Sequence, residues 1–113
     1  VHAFNQRDIE GIFGMIRTVG ALTGCSARAA KLVDAYAMRV ARVAAHTRPH
    51  RPRVWFEEWD EPLISGIRWV SELIGVAGGQ DVFADLSHGP GARERIGKPE
   101  AAAEAMPEVI LAS

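Results

Sequence analysis

The sequence predicts an α/β protein, and three observations do so. Apolar residues recur every three or four positions through residues 8–23, 26–47 and 66–77, the spacing of amphipathic helices. Two short runs, 53–57 and 109–112, are dense in valine, aliphatic and aromatic residues, as strands are. Of the 113 residues, 48% are apolar and 24% charged, the balance of a folded globular domain rather than a disordered chain.

Charge and cysteine content narrow the function classes. The 13 Lys+Arg against 14 Asp+Glu give a net charge of −1, without the basic excess of a dedicated nucleic-acid binder. The single cysteine, Cys25, excludes an internal disulfide and a multi-cysteine metal site. No apolar run approaches the roughly 18 residues that span a bilayer. The opening Val1-His2-Ala3-Phe4-Asn5 is neither an initiator methionine nor a signal peptide, so the chain reads as a fragment or a processed product of something longer.

The elements follow in order. Alternation in residues 1–5 predicts a short strand. Asp8 is placed to cap a helix over 8–23 whose stripe is Ile9, Ile12, Phe13, Ile16, Val19 and Leu22, with Gly24 as its stop. Ser26 is the expected cap of a second helix over 26–47, uninterrupted by Pro or Gly, which at 1.5 Å per residue is a strut of roughly 33 Å. Prolines 49 and 52 break the chain before the strand at 53–57. A loop over 58–64 leads to a third helix over 66–77, capped by Ser65 and ended by Gly78-Gly79. Residues 80–97 show no pattern, and loops of that length are commonly functional or mobile. Pro99 opens a short helix to 105, and 109–112 is a buried strand. The order is β-α-α-β-α-loop-α-β, its second half a β-α-β unit with parallel strands and a right-handed crossover. Two strands alone do not make a stable sheet, so partner strands are expected to be missing or supplied by a second copy pairing at the open edge.

The densest chemistry is Trp55-Phe56-Glu57-Glu58-Trp59-Asp60-Glu61-Pro62, with four carboxylates and three aromatics. It lies at the carboxyl end of a strand, the edge where open α/β sheets bind ligands. Trp55 and Phe56 read as core. Trp59, in the loop, is free to offer a flat face to a ring-bearing ligand. Consecutive strand carboxylates point apart rather than converging on a cation, so no metal site and no catalytic residue is assigned. A small α/β metal-dependent enzyme fragment using these acids, and a dimerisation module built on the long helix and open edge, are the alternatives from other classes. None of the four histidines makes an i, i+4 pair; His88, in the glycine-bearing loop, is the one placed to touch a ligand. Arg39, Arg42, Arg48, Arg51 and Arg53 read as a solvated face of the strut and its exit, and the glycines fit no phosphate loop.

These residues resemble a family. Arg53-Val54-Trp55-Phe56-Glu57-Glu58-Trp59, then Pro62-Leu63-Ile64-Ser65-Gly66, then Gly78-Gly79-Gln80-Asp81-Val82-Phe83, is similar to the carboxy-terminal lobe of type III periplasmic substrate-binding proteins, which serve ABC importers of vitamin B12 and ferric siderophores. Pro99-Glu100 and Pro107-Glu108-Val109-Ile110-Leu111 continue the likeness. The cobalamin-binding members are most similar. The resemblance implies a partial fold: residues 1–24 end an amino-terminal lobe, 25–50 form a rigid interlobe helix, and 51–113 are an incomplete carboxy-terminal lobe. It implies no enzyme and no cofactor, but capture of a corrinoid by Trp59 and Leu63, with Glu58, Asp60 and Ser65 as neighbours. Glu100 would dock onto an ABC permease, in the periplasm. No aromatic follows Phe83 where cobalamin binders carry one, so a siderophore or haem is the alternative ligand and His88 the alternative contact.

Overall fold

In the computed structural model, which describes residues 1–46 and 49–113, Asp8 starts the first helix as its sequence requires. Its carboxylate accepts the Gly11 N–H at 2.8 Å, and α1 runs Ile9–Leu22. Thr23 closes it and Gly24, at φ +70°, turns the chain back. Helix α2, Ser26–Ala44, follows at once. The expected Ser26 cap is corrected: Ser26 is already helical and Cys25 holds the cap position without a side-chain bond. The tight turn leaves no room for a later start, because the Cys25 carbonyl accepts the Ala29 N–H at 3.0 Å. Helix α2 stops three residues before its expected end at 47; position 47, like Arg48 of the arginine run, lies outside the described residues. The helices pack through Gly20, where a Cβ would meet the Ala29 Cβ at 2.3 Å. Residues 1–5 form no strand, a second correction. Alternation licenses a strand but does not form one without a ladder to receive its N–H and C=O groups. Residues Val1–Ala45 make one compact unit.

The second unit, His46–Ser113, is built around β1, Arg53–Trp59. This strand extends two residues beyond its expected end, because the chain turns and returns as β2, Ile64–Ser65, antiparallel to it. The 58–64 segment is therefore a hairpin rather than an open loop, and Ser65 is a strand residue rather than a helix cap. Helix α3, Arg68–Val76, starts from Ile67 and lays Val70 and Ile74 on Val54, with Phe56, Ile67 and Trp69 packed around them. Gly78, at φ +86°, ends the helix; a Cβ on Gly79 would meet Val54 Cγ2 at 2.8 Å, so only glycine lets the chain pass here.

The segment expected to lack pattern begins as β3, Gln80–Asp81, and holds two 3-10 turns, Leu86–His88 and Arg93–Arg95. Helix α4, Pro99–Glu104, then leads to β4, Val109–Ala112. Both β3 and β4 pair parallel with β1, as the β-α-β reading requires. Val54 pairs with both Asp81 and Val109, and Glu57 with both Ser65 and Ala112. A strand has only two edges, so β4 lies along one and β3 and β2 share the other end to end. The sheet thus has four strands, where the sequence reading found two in this unit; β4, expected to be buried, is corrected to an exposed strand, because among the described residues it pairs with β1 alone. Arg51 and Arg53 are more than a solvated face: they donate to the Gly79 and Met106 carbonyls at 2.8 and 3.0 Å.

Candidate functional site

The carboxyl end of β1 presents an exposed aromatic. Trp59 is the last strand residue, 60% exposed, and its indole N–H donates to the Glu61 carbonyl at 3.1 Å. That bond fixes the ring's edge. The turn after it contains a cis Glu61–Pro62 peptide bond and exposes Asp60, whose carboxylate accepts the Glu61 N–H at 2.9 Å.

Pairing shows what shares a face with Trp59. It stands opposite Ile64, and Ile64 is bridged to Ile96 from the segment after the second 3-10 turn. Directly paired residues project to the same side of a sheet. Trp59, Ile64 and Ile96 therefore form one apolar row, with both ends exposed. Pleating sends their neighbours to the other side. Leu63 and Ser65 are 7% and 1% exposed, and Arg95 is 4%.

Beneath the row lies an ion pair. Arg95 Nη1 and Nη2 meet the two Glu58 carboxylate oxygens at 2.6 and 3.2 Å. Nη1 also donates to the Ser65 carbonyl, and the Ser65 hydroxyl donates to the Arg95 carbonyl at 3.1 Å.

The residues singled out from the sequence thus separate. Trp59 and Asp60 are presented to solvent, Glu58 is committed to Arg95, and Leu63 and Ser65 lie below. His88, exposed at the end of its 3-10 turn, belongs to a segment packed on the Arg93–Arg95 turn, which in turn packs on β2. Glu100 is exposed in the first turn of α4. Sequence reasoning missed Ile64, Ile96 and Arg95. Their partners lie 30 or more residues away or across a two-residue strand too short to show a period. The run Arg93-Glu94-Arg95 between Gly91 and Gly97 does not by itself single out Arg95.

The far end of β1 is organised differently. Glu108 accepts the Arg53 N–H at 2.8 Å and meets His50 Nε2 at 2.7 Å, and these bonds, the backbone one foremost, hold its carboxyl below the usual range. A polar hollow of about 370 Å³ lies there too, lined by Arg53, Gln80, Asp81 and Asp85. Among the described residues no three His, Cys, Asp or Glu side chains converge, and no helix is long and apolar enough to cross a membrane.

The apolar, aromatic-tipped row thus sits at the carboxyl end of the sheet's central strand, the edge at which open α/β sheets commonly bind ligands. The family is shown directly: the family model described as periplasmic binding protein matches residues 1–113, and the chain belongs to that family. Three solved structures share the fold. A possible iron-binding (periplasmic solute-binding) protein of Staphylococcus epidermidis ATCC 12228 matches with TM-score 0.77 and 16% identity over 99% of this chain and 43% of its own. An ABC transporter substrate-binding protein of Listeria monocytogenes EGD-e matches with TM-score 0.74 and 19% identity over 98% of this chain and 43% of its own. The periplasmic vitamin B12 binding protein BtuF of Vibrio cholerae matches with TM-score 0.71 and 20% identity over 99% of this chain and 44% of its own. The chain thus spans less than half the length of these structures. No curated protein matches it. The likeness to type III binding proteins read from the sequence holds for family and for fold.

Proposed function

We propose that the chain is part of the substrate-binding component of an ABC importer, which captures a corrinoid outside the cytoplasm and delivers it to a permease without bond chemistry. The observation that carries this reading is Trp59, held by its indole N–H with its ring exposed at the end of an apolar row. A corrin is a large flat ring system, and an exposed indole flanked by aliphatic side chains is the surface such a ligand covers. Family membership and the Vibrio neighbour support the assignment.

Trp59 supplies stacking, Asp60 and His88 the polar rim, and Leu63, Ser65 and Glu58 support from beneath. Glu100 is the permease contact, an exposed carboxylate in a first helical turn. In this reading residues 1–24 end the amino-terminal lobe, 25–50 join the lobes and 51–113 belong to the carboxy-terminal lobe. Ferric siderophore or haem is the second reading, favoured by the absence of an aromatic after Phe83.

Calorimetric titration of the full-length protein with cyanocobalamin, a ferric hydroxamate siderophore and haemin tests the choice. Tight binding of cyanocobalamin that weakens about 30-fold in Trp59→Ala, the loss typical of an aromatic hot spot, is expected. Binding of haemin or the siderophore alone would replace the corrinoid.

A further inference from the structure

We infer that Arg95 is a positioning residue that sets which face Trp59 presents, and this rests on the reading of Trp59 as the ligand contact. The register of the hairpin carries the inference. Between the pairs Glu57↔Ser65 and Trp59↔Ile64, β1 advances two residues while β2 advances one. Glu58 is therefore the extra residue of a β-bulge, a device that re-aims the side chain following it. Strand side chains alternate with period two, so losing the bulge moves Trp59 to the opposite face.

Nothing in the local sequence holds a bulge at Glu58; there is no glycine or proline between residues 53 and 61. The Arg95 guanidinium holds it instead. Its fork grips both oxygens of the Glu58 carboxylate, and the same Nη1 donates to Ser65, the β2 residue on the near side of the bulge. Ser65 returns a bond to Arg95, and the Gly97 N–H donates to the Leu63 carbonyl at 3.0 Å, so residues 95–97 are stitched along β2 by backbone and side chain together. A guanidinium can make this two-pronged contact, and an ammonium cannot. The arrangement is not the one stability alone would select. Arg95 is 4% exposed, its Nε has no hydrogen-bond partner among the described residues, and buried ion pairs are poor sources of stability.

The test compares Arg95→Lys and Glu58→Gln in the full-length protein, each alone and combined with Trp59→Ala, by cyanocobalamin titration and by hydrogen exchange. Glu58→Gln, at a side chain 38% exposed, provides a folded variant should the buried arginine tolerate no replacement. Each single variant is expected to lose about tenfold in affinity, the worth of one charge-assisted hydrogen bond. Exchange should quicken over residues 57–65 and stay unchanged in α3. In the Trp59→Ala background the further loss should disappear, because a residue that acts only through Trp59 has nothing left to position. The same tenfold loss with and without Trp59, or unchanged exchange over 57–65, overturns the inference. Should the unmodified protein bind no corrinoid, the ligand reading fails by itself, and the exchange comparison still decides whether Arg95 holds the bulge.

Discussion

The close contact between α1 and α2 gives a prediction with a definite size. Replacing Gly20 by alanine places a Cβ 2.3 Å from the Ala29 Cβ and 3.3 Å from the Cys25 carbonyl oxygen. Carbon atoms in favourable contact sit about 3.5–4.0 Å apart, so the helices must separate by more than about 1 Å at this point. Overpacking of that kind costs about 1–3 kcal/mol, and a backbone contact with little freedom to yield belongs near the top of the range. Against it stands the helix preference of alanine over glycine, about 1 kcal/mol. The net loss is about 2 kcal/mol, or roughly a 1 M fall in the urea midpoint for a domain of this size. Urea unfolding followed by far-ultraviolet circular dichroism measures it. The reciprocal pair Gly20→Ala/Ala29→Gly restores the missing space and cancels the helix preferences, so it should return to within about 0.5 kcal/mol of the unmodified chain. A stabilised Gly20→Ala, as expected of an exposed helical glycine, would refute the packing; so would strictly additive single and double variants.

Three further outcomes can be checked in the same way. Ile74→Ala removes a buried side chain that packs on Val54 and Val70, and should cost about 2–5 kcal/mol by chemical unfolding. Asp8→Ala removes the carboxylate that receives the Gly11 N–H, and should cost about 1 kcal/mol with faster hydrogen exchange in the first turn of α1. Glu108 is held ionised by the Arg53 N–H and His50, so its folded carboxyl titrates lower than its unfolded one. Its contribution is therefore present above the ordinary glutamate range, about pH 4.3, and fades as pH falls from there through the lowered folded value. Thermal melts from pH 6 down to 3 should show a shallower acid slope in Glu108→Gln.

The helices were the most legible part of the sequence, and the reason is physical. An amphipathic helix repeats its pattern over several turns, so Ile9 through Leu22 or Ile67 through Ile74 declares itself without reference to anything distant. Strand β1 and its parallel partner β4 were legible from composition. The two-residue strands β2 and β3 were not, because two residues contain no period; they exist only where β1 offers them an edge. The same limit explains residues 1–5, where a period of two was present and, among the described residues, a partner strand was not. At the site, Trp59 was identifiable as an aromatic at a strand's carboxyl end. Its placement in a loop was corrected to the end of β1, because β2 returns alongside and pairs Ile64 with it. The residues that set its orientation were invisible for the converse reason: Arg95 meets Glu58 across 37 positions of sequence, joined by folding alone.

The central claim is that Trp59 is the surface a corrinoid covers. Trp55→Phe/Trp69→Phe leaves Trp59 as the sole tryptophan of this segment, and with any others in the full-length protein also replaced, acrylamide quenching reads its exposure directly. Without ligand, quenching should be efficient, as for a ring 60% exposed. With saturating cyanocobalamin, corrected for the ligand's own absorption, the quenching constant should fall several-fold. An unchanged constant under conditions where calorimetry shows the ligand bound would contradict the claim and place the corrinoid elsewhere.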